Sequence, residues 1–132
     1  MPRVPRRPTF WLIALLVWFG VLWVLSSDTH PDMPVIPIDD FDKVEHFGYF
    51  FGGAGLLSAY LVSMRPSATQ WRFIIPCTII LIGLIGRLDE YHQGFVPGRS
   101  GNDNFDWLAD CLGATAGAFV FKAIHRRLKW DS

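Results

Sequence analysis

Charged side chains are scarce in this sequence. They make up 18% of its 132 residues, against about 25% in ordinary soluble domains. Twelve Lys and Arg balance twelve Asp and Glu, which excludes a nucleic-acid binder that works through bulk positive charge. Cysteine is scarcer still: Cys77 and Cys111 cannot form a disulfide framework and lack the CxxC spacing of a metal site. With 51% hydrophobic residues, the chain is also too apolar for disorder.

Long apolar runs are what the sequence has instead. Uncharged stretches occupy residues 9–25, 47–64 and 73–86, and residues 107–123 carry only Asp110 and Lys122. A bilayer core requires roughly 17 to 20 apolar residues of helix. The third run reaches that length only if its helix continues through Gln93. A length near 130 residues fits one domain, so the sequence predicts an all-α, four-helix transmembrane bundle over residues 1–132. The predicted helices are about 9–26, 44–64, 73–93 and 104–124.

Basic residues gather at one side of the predicted bundle. Nine of the twelve flank the start of helix one, the loop between helices two and three, and the end of helix four, whereas eleven of the twelve acids fall on the other side or in its outer half. The positive-inside rule assigns the basic side to the cytoplasm. Both termini are therefore predicted to be cytoplasmic. Alternatively, residues 1–27 form a cleaved signal peptide, although the apolar run is long for one and lacks an A-x-A site.

Two groups of polar residues lie where predicted helices meet the outer surface. At the start of helix two, Asp42, Glu45 and His46 have the i, i+3, i+4 spacing that places side chains on one helix face. At the end of helix three, Glu90 and Gln93 share a face by the same spacing. Because the two helices run in opposite directions, both groups are predicted at the same membrane surface.

A third polar segment leads into helix four. Asp103 or Asn104 is positioned to cap that helix, and Asp106 and Asp110 share one of its faces. Asp110 is predicted about one turn inside the bilayer boundary, where an unpaired carboxylate is costly and usually marks function. The three segments together predict one outer cluster of acids, an imidazole and basic groups.

Such a cluster suits three kinds of chemistry. It could bind a divalent cation through oxygen and imidazole ligands, and the candidate ligands are Glu45, His46, Glu90 and Asp106. It could transfer protons, or it could clamp a phosphate between Lys43 and Arg99. The structural alternatives are simpler: Asp42 and Asp103 as helix caps, Lys43 snorkelling to the interface, and His46 as an ordinary hydrogen-bonded histidine.

Glycine pairs predict which helices touch. Gly48 and Gly52 in helix two, and Gly113 and Gly117 in helix four, have the small-xxx-small spacing that lets helix backbones approach closely in membranes. We therefore expect helices two and four to be in contact. That contact would bring the polar start of helix two towards Asp110.

The polar segments resemble the VanZ-like membrane proteins. The segments are DKVEHF from Asp42, EYHQGFVPGRS from Glu90 and DWLADCLG from Asp106. They are similar to the family pattern D-K-x-x-H, then E-x-x-Q-x-F-x-P-x-R, then D-x-x-x-N/D-x-x-G. The resemblance covers residues 41–118 and leaves helix one outside it. Asp110 stands where many members have asparagine. We align Asp106 with the family's acid because Gly113 then keeps its spacing.

The resemblance implies a multi-pass protein of a prokaryotic plasma membrane, in a family linked to resistance to teicoplanin and related lipoglycopeptides. The expected function is binding or acting on a cell-envelope lipid or lipid-linked phosphate, with no nucleic-acid partner. The alternative is a non-catalytic binding or assembly protein for a lipid-linked precursor or a protein partner. In the first case the expected catalytic residues are Asp42, His46, Glu90 and Asp106. The expected substrate-binding residues are Lys43, Gln93, Arg99, Ser100 and Asp110.

Overall fold

Four long helices make up most of the part of the chain that the structure describes. The computed structural model describes residues 1–27, 41–99 and 101–131. The helices are α1 (Pro8–Ser26), α2 (Phe41–Met64), α3 (Trp71–Gln93) and α4 (Asn104–Ile124). All four are long and apolar enough to cross a membrane, so the predicted four-helix transmembrane bundle is confirmed and the chain is an integral, multi-pass membrane protein. As predicted, α3 continues through Gln93, which supplies the length that its uncharged run lacks.

Both chain ends lie at the same end of the bundle. Residues Arg3–Val4 form strand β1 and residues Lys129–Trp130 form strand β2, and the two strands pair in parallel. The pairing is flanked by an edge-on contact between Trp11 of α1 and Trp130, with ring centroids 6.0 Å apart. We call this the basic end, because the basic residues of the two termini and of the α2–α3 loop lie there. The opposite end, where α2 and α4 begin and α1 and α3 finish, is the polar end.

The closest helix packing is between α2 and α4. A Cβ atom added at Gly113 would collide with the carbonyl oxygen of Phe47, and one added at Gly117 would collide with that of Phe51. The predicted contact between these helices is therefore present, and glycines of α4 make it. The α2 pair does not take part: Gly48 has no atom within 4 Å of an added Cβ, and Gly52 is covered by the α1 indole of Trp18.

Reciprocal hydrogen bonds fasten α1 to α2. The indole Nε1 of Trp18 donates to the carbonyl oxygen of Tyr49 at 2.9 Å, and the Tyr49 hydroxyl donates to the carbonyl oxygen of Trp18, also at 2.9 Å. Elsewhere α1 presents large apolar side chains outward, such as Leu16 and Val24, which are each more than 60% exposed. A bilayer would cover such a surface. On its inner side, α1 adds Leu15, Phe19 and Leu22 to the apolar core beside this aromatic pair.

Candidate functional site

The three polar segments converge at the polar end. α2 supplies His46, α3 supplies Asp89 and Glu90, and α4 supplies Asp106 and Asp110; we call these five residues the polar cluster. All four of its carboxyl side chains are buried, with Glu90 and Asp110 at 0% exposure. Burial of so many acids inside the ends of membrane-spanning helices is costly unless each finds a partner. Their partners therefore define the site.

His46 is held by Asp110. Its Nδ1 atom lies 2.8 Å from Oδ1 of Asp110. When Asp110 is ionised it only accepts hydrogen bonds, so Nδ1 of His46 then donates. The other ring nitrogen, Nε2, then points towards Glu90, whose Oε1 atom is 3.8 Å away. That distance is too long for a hydrogen bond.

Glu90 is anchored by only one of its carboxylate oxygens. Its Oε2 atom accepts from the backbone N–H of Asp103 at 3.0 Å, while its main-chain carbonyl accepts from Asn102 at 3.1 Å. These bonds fix the loop before α4 against the end of α3. The Oε1 atom of Glu90 is buried and has no hydrogen-bond partner among the residues that the structure describes. It is therefore a buried acceptor directed into the cluster.

Asp89 connects α1 to α3. Its Oδ1 atom accepts from the Ser26 hydroxyl at 2.6 Å, and its Oδ2 atom accepts from Nε2 of Gln93 at 2.9 Å. We did not predict a role for Asp89 from the sequence. Its i, i+4 spacing to Gln93 was the available signal, but the partnership with Ser26 depends on how α1 docks.

Lys43 borders the cluster. Its ammonium nitrogen lies 3.5 Å from Oδ1 of buried Asp106 and 3.7 Å from Oδ1 of Asp42. Asp42 is an exposed side chain that also accepts from the backbone N–H of Lys43 at 2.9 Å. Asp103 caps α4, as predicted, by accepting from the N–H groups of Phe105 and Asp106. Lys43 therefore compensates an acid of the cluster rather than only reaching for solvent.

A cavity of about 480 Å³ lies beside the cluster, between α1, α2 and the end of α3. Its apolar wall includes Trp18, Leu22, Leu25 and Val44. Its polar wall includes Glu45, His46, Asp89, Gln93 and Arg99. Arg99 is held at the rim by its bonds to the carbonyl oxygen of Leu25 at 3.2 Å and to Oε1 of Gln93 at 3.5 Å. The cavity thus offers an apolar wall and a charged wall to the same ligand.

The structure gathers most of the sequence-predicted site residues. His46, Glu90, Asp106 and Asp110 meet in the polar cluster, with Lys43 at its edge and Gln93 and Arg99 in the cavity wall. Glu45 lines the cavity but is exposed, and Asp42 lies on the surface. Ser100 is outside the described residues. His92, for which no role was predicted, stacks on Trp23 with ring centroids 3.8 Å apart.

Three residues have donor atoms close enough to share an ion. One ligand atom each from His46, Asp89 and Glu90 lies within 4.8 Å of the other two. Two of these residues, His46 and Glu90, were in the predicted ligand set. The other two members of that set, Glu45 and Asp106, are outside this group, and Asp89 takes their place.

Comparison of the chain with protein-family models, with curated proteins and with solved structures gives no match.

Proposed function

We propose that this is a VanZ-like plasma-membrane protein, with both termini in the cytoplasm, that binds the phosphate head group of a cell-envelope lipid at its polar end. The proposal rests on one observation, the convergence of three polar chain segments at one place. The segments beginning at Asp42, Glu90 and Asp106 are far apart in sequence, yet their side chains meet beside one cavity. These are the segments on which the family resemblance rests.

The cavity wall suits an amphiphile. Trp18, Leu22 and Leu25 of α1 offer apolar contact to a lipid chain, and burial of such surface is the main driving force for binding it. At the charged wall, Arg99 supplies a guanidinium, whose planar fork of N–H donors matches phosphate oxygens. A lipid with a phosphate head group uses both walls at once.

A catalytic form of this function is favoured by the pairing of His46 with Asp110. A histidine oriented by a carboxylate is a common general base, and the cavity-lining His46 is held in that way at 2.8 Å. The expected signature is hydrolysis, in which water deprotonated by His46 attacks the terminal phosphorus of a polyprenyl diphosphate and the polyprenyl phosphate leaves, releasing inorganic phosphate. His46→Gln should abolish this release. If no phosphate is released while the lipid still binds, the protein is a non-catalytic binding protein.

Thermal unfolding of the detergent-purified protein tests the binding proposal. A ligand that binds only the folded state raises stability in proportion to RT ln(1 + [L]/Kd). Polyprenyl phosphate is expected to raise the unfolding temperature more than a polyprenol of equal chain length. The difference should disappear in Arg99→Gln and persist in Arg72→Gln, a matched control at the basic end. Equal shifts with both lipids in the unmodified protein would contradict the proposal.

The link to teicoplanin follows from the proposed family membership. Cells that express the protein are expected to tolerate more teicoplanin than cells that express the Arg99→Gln variant at the same level. Equal tolerance would contradict a role of this protein in teicoplanin resistance. It would not decide lipid binding, which the unfolding assay tests separately.

A further inference from the structure

We propose that His46, Asp89 and Glu90 bind one divalent transition-metal ion, of the Zn²⁺ or Mn²⁺ type, in the wall of the cavity. The site combines one imidazole and two carboxylates from α2 and α3. It does not depend on the proposed lipid binding, because it can be tested with metal alone. An ion bound at Nε2 of His46 would replace the general-base role of that residue, since the ring has one lone pair to offer.

The spacing of the three side chains suits a shared ion. Zn²⁺ lies about 2.0–2.2 Å from nitrogen and oxygen ligands, so two ligands of one ion are separated by at most about 4.4 Å. The candidate ligand atoms of His46, Asp89 and Glu90 all lie within 4.8 Å of one another.

The strongest indication of a metal site is a pair of atoms that face each other across the centre of the three side chains. In the neutral tautomer of His46 that donates from Nδ1 to Asp110, Nε2 carries a lone pair. Opposite it, at 3.8 Å, lies Oε1 of Glu90, which has no hydrogen-bond partner among the described residues. Glu90 is fully buried, and a buried acceptor without a donor is costly. A cation between these two atoms satisfies both.

Each candidate ligand is oriented by an outer partner. Metal-binding histidines usually donate their other N–H to a carboxylate or carbonyl, and Asp110 fills that role for His46. Ser26 and Gln93 hold the two oxygens of Asp89. The backbone N–H of Asp103 holds Oε2 of Glu90. The ligand side chains are thus fixed from α1, α3, α4 and the loop before it.

Charge and donor type identify the class of ion. Four buried carboxyl groups lie in the cluster, with Lys43 beside Asp106 and Arg99 in the cavity wall among the described residues, so a divalent cation reduces the negative charge of the carboxylates around His46. Mg²⁺ and Ca²⁺ prefer all-oxygen ligands, whereas imidazole suits transition metals. Because His46 and Asp89 line the cavity, the ion would keep an open position towards it, which is typical of catalytic rather than structural sites.

Calorimetric titration of Zn²⁺ into the full-length, chelator-treated protein in detergent, without added lipid, tests the site. We expect one saturable site per chain and at least a tenfold loss of affinity in both His46→Gln and Glu90→Gln. Glu45→Gln removes a carboxylate from the same cavity, and His92→Gln removes another histidine that the structure describes at the polar end. Both controls should bind as the unmodified protein does. Mn²⁺ should compete for the same site.

Three outcomes would overturn the proposal. The first is the absence of saturable binding at one ion per chain in the unmodified protein, which needs no variant to interpret. The second is unchanged affinity in a folded Glu90→Gln protein, since glutamine keeps the shape of the side chain. The third is loss of binding in Glu45→Gln or His92→Gln instead. The unfolding assay with polyprenyl phosphate, repeated in EDTA, tests lipid binding without the metal. A lipid-dependent shift that persists in EDTA shows that the lipid proposal holds even if the metal proposal fails.

Discussion

His46 and Asp110 are 64 positions apart in the sequence and share a 2.8 Å hydrogen bond inside the bundle. The contact is possible because α4 approaches α2 through Gly113 and Gly117. Gly86 of α3 makes room for the Asp110 side chain, because a Cβ atom at that position would collide with the Asp110 carboxyl group. Helix packing and the polar cluster are therefore parts of one arrangement.

Removal of the Asp110 carboxylate should destabilise the protein. Asp110→Ala leaves Nδ1 of His46 without its acceptor, and an unsatisfied buried donor costs about 1–3 kcal/mol. Asp110→Asn keeps a carbonyl oxygen for the same bond and should cost less. Unfolding of both variants in a detergent titration measures the difference. Equal losses would show that the hydrogen bond to His46 contributes no stability.

The two glycine pairs should respond differently to alanine. Gly113→Ala places a methyl group against the Phe47 carbonyl, and overpacking of this kind costs about 1–3 kcal/mol. Gly48→Ala meets open space and replaces a poor helix former, with an expected gain of up to about 1 kcal/mol. Unfolding measurements on the two variants compare them directly. A larger loss at Gly48 would contradict the packing of α2 against α4.

The aromatic pair should control how firmly α1 is attached. Trp18→Phe removes the bond to the Tyr49 carbonyl and part of the cover over Gly52, with an expected loss of about 1–3 kcal/mol. Val21→Ala, at a position that is 49% exposed on the same helix, is the matched control and should have little effect. If the two variants lose equal stability, α1 is not fastened through Trp18.

Orientation in the membrane can be tested with single cysteines. In a protein whose Cys77 and Cys111 are replaced by serine, Phe95→Cys lies at the polar end and Ser67→Cys at the basic end. A membrane-impermeant maleimide added to intact cells should label the first and not the second, because the positive-inside rule places the basic end in the cytoplasm. Labelling of Ser67→Cys alone would reverse the proposed orientation.

The fold was predictable from composition because each membrane span requires a long apolar helix. Four apolar runs of about the spanning length leave few alternatives to a helical bundle. The cap by Asp103 was also predictable, since it depends only on local chain geometry. That Gly48 lies outside the α2–α4 contact was not predictable, because small-xxx-small spacing does not say which helix a glycine faces, and that depends on the rotation of α2 about its axis.

Part of the polar cluster was also predictable, because four membrane-spanning helices fix which helix ends share a surface. His46, Glu90, Asp106 and Asp110 could be assigned to one surface because successive spans alternate in direction. The contribution of Asp89 could not, since its partner Ser26 comes from α1 and is separated from it by 63 positions. Contacts made by helix docking are invisible to spacing arguments, which apply within one helix.

The central claim is that the polar end recognises a phosphate head group through Arg99. The most direct measurement is a binding cycle with two proteins and two ligands: unmodified protein and Arg99→Gln, each with a polyprenyl phosphate and the polyprenol of equal length. We predict that the substitution weakens binding of the phosphate at least tenfold, which corresponds to about 1.4 kcal/mol, and leaves binding of the alcohol unchanged. An equal effect on both ligands, or none on either, would contradict the account.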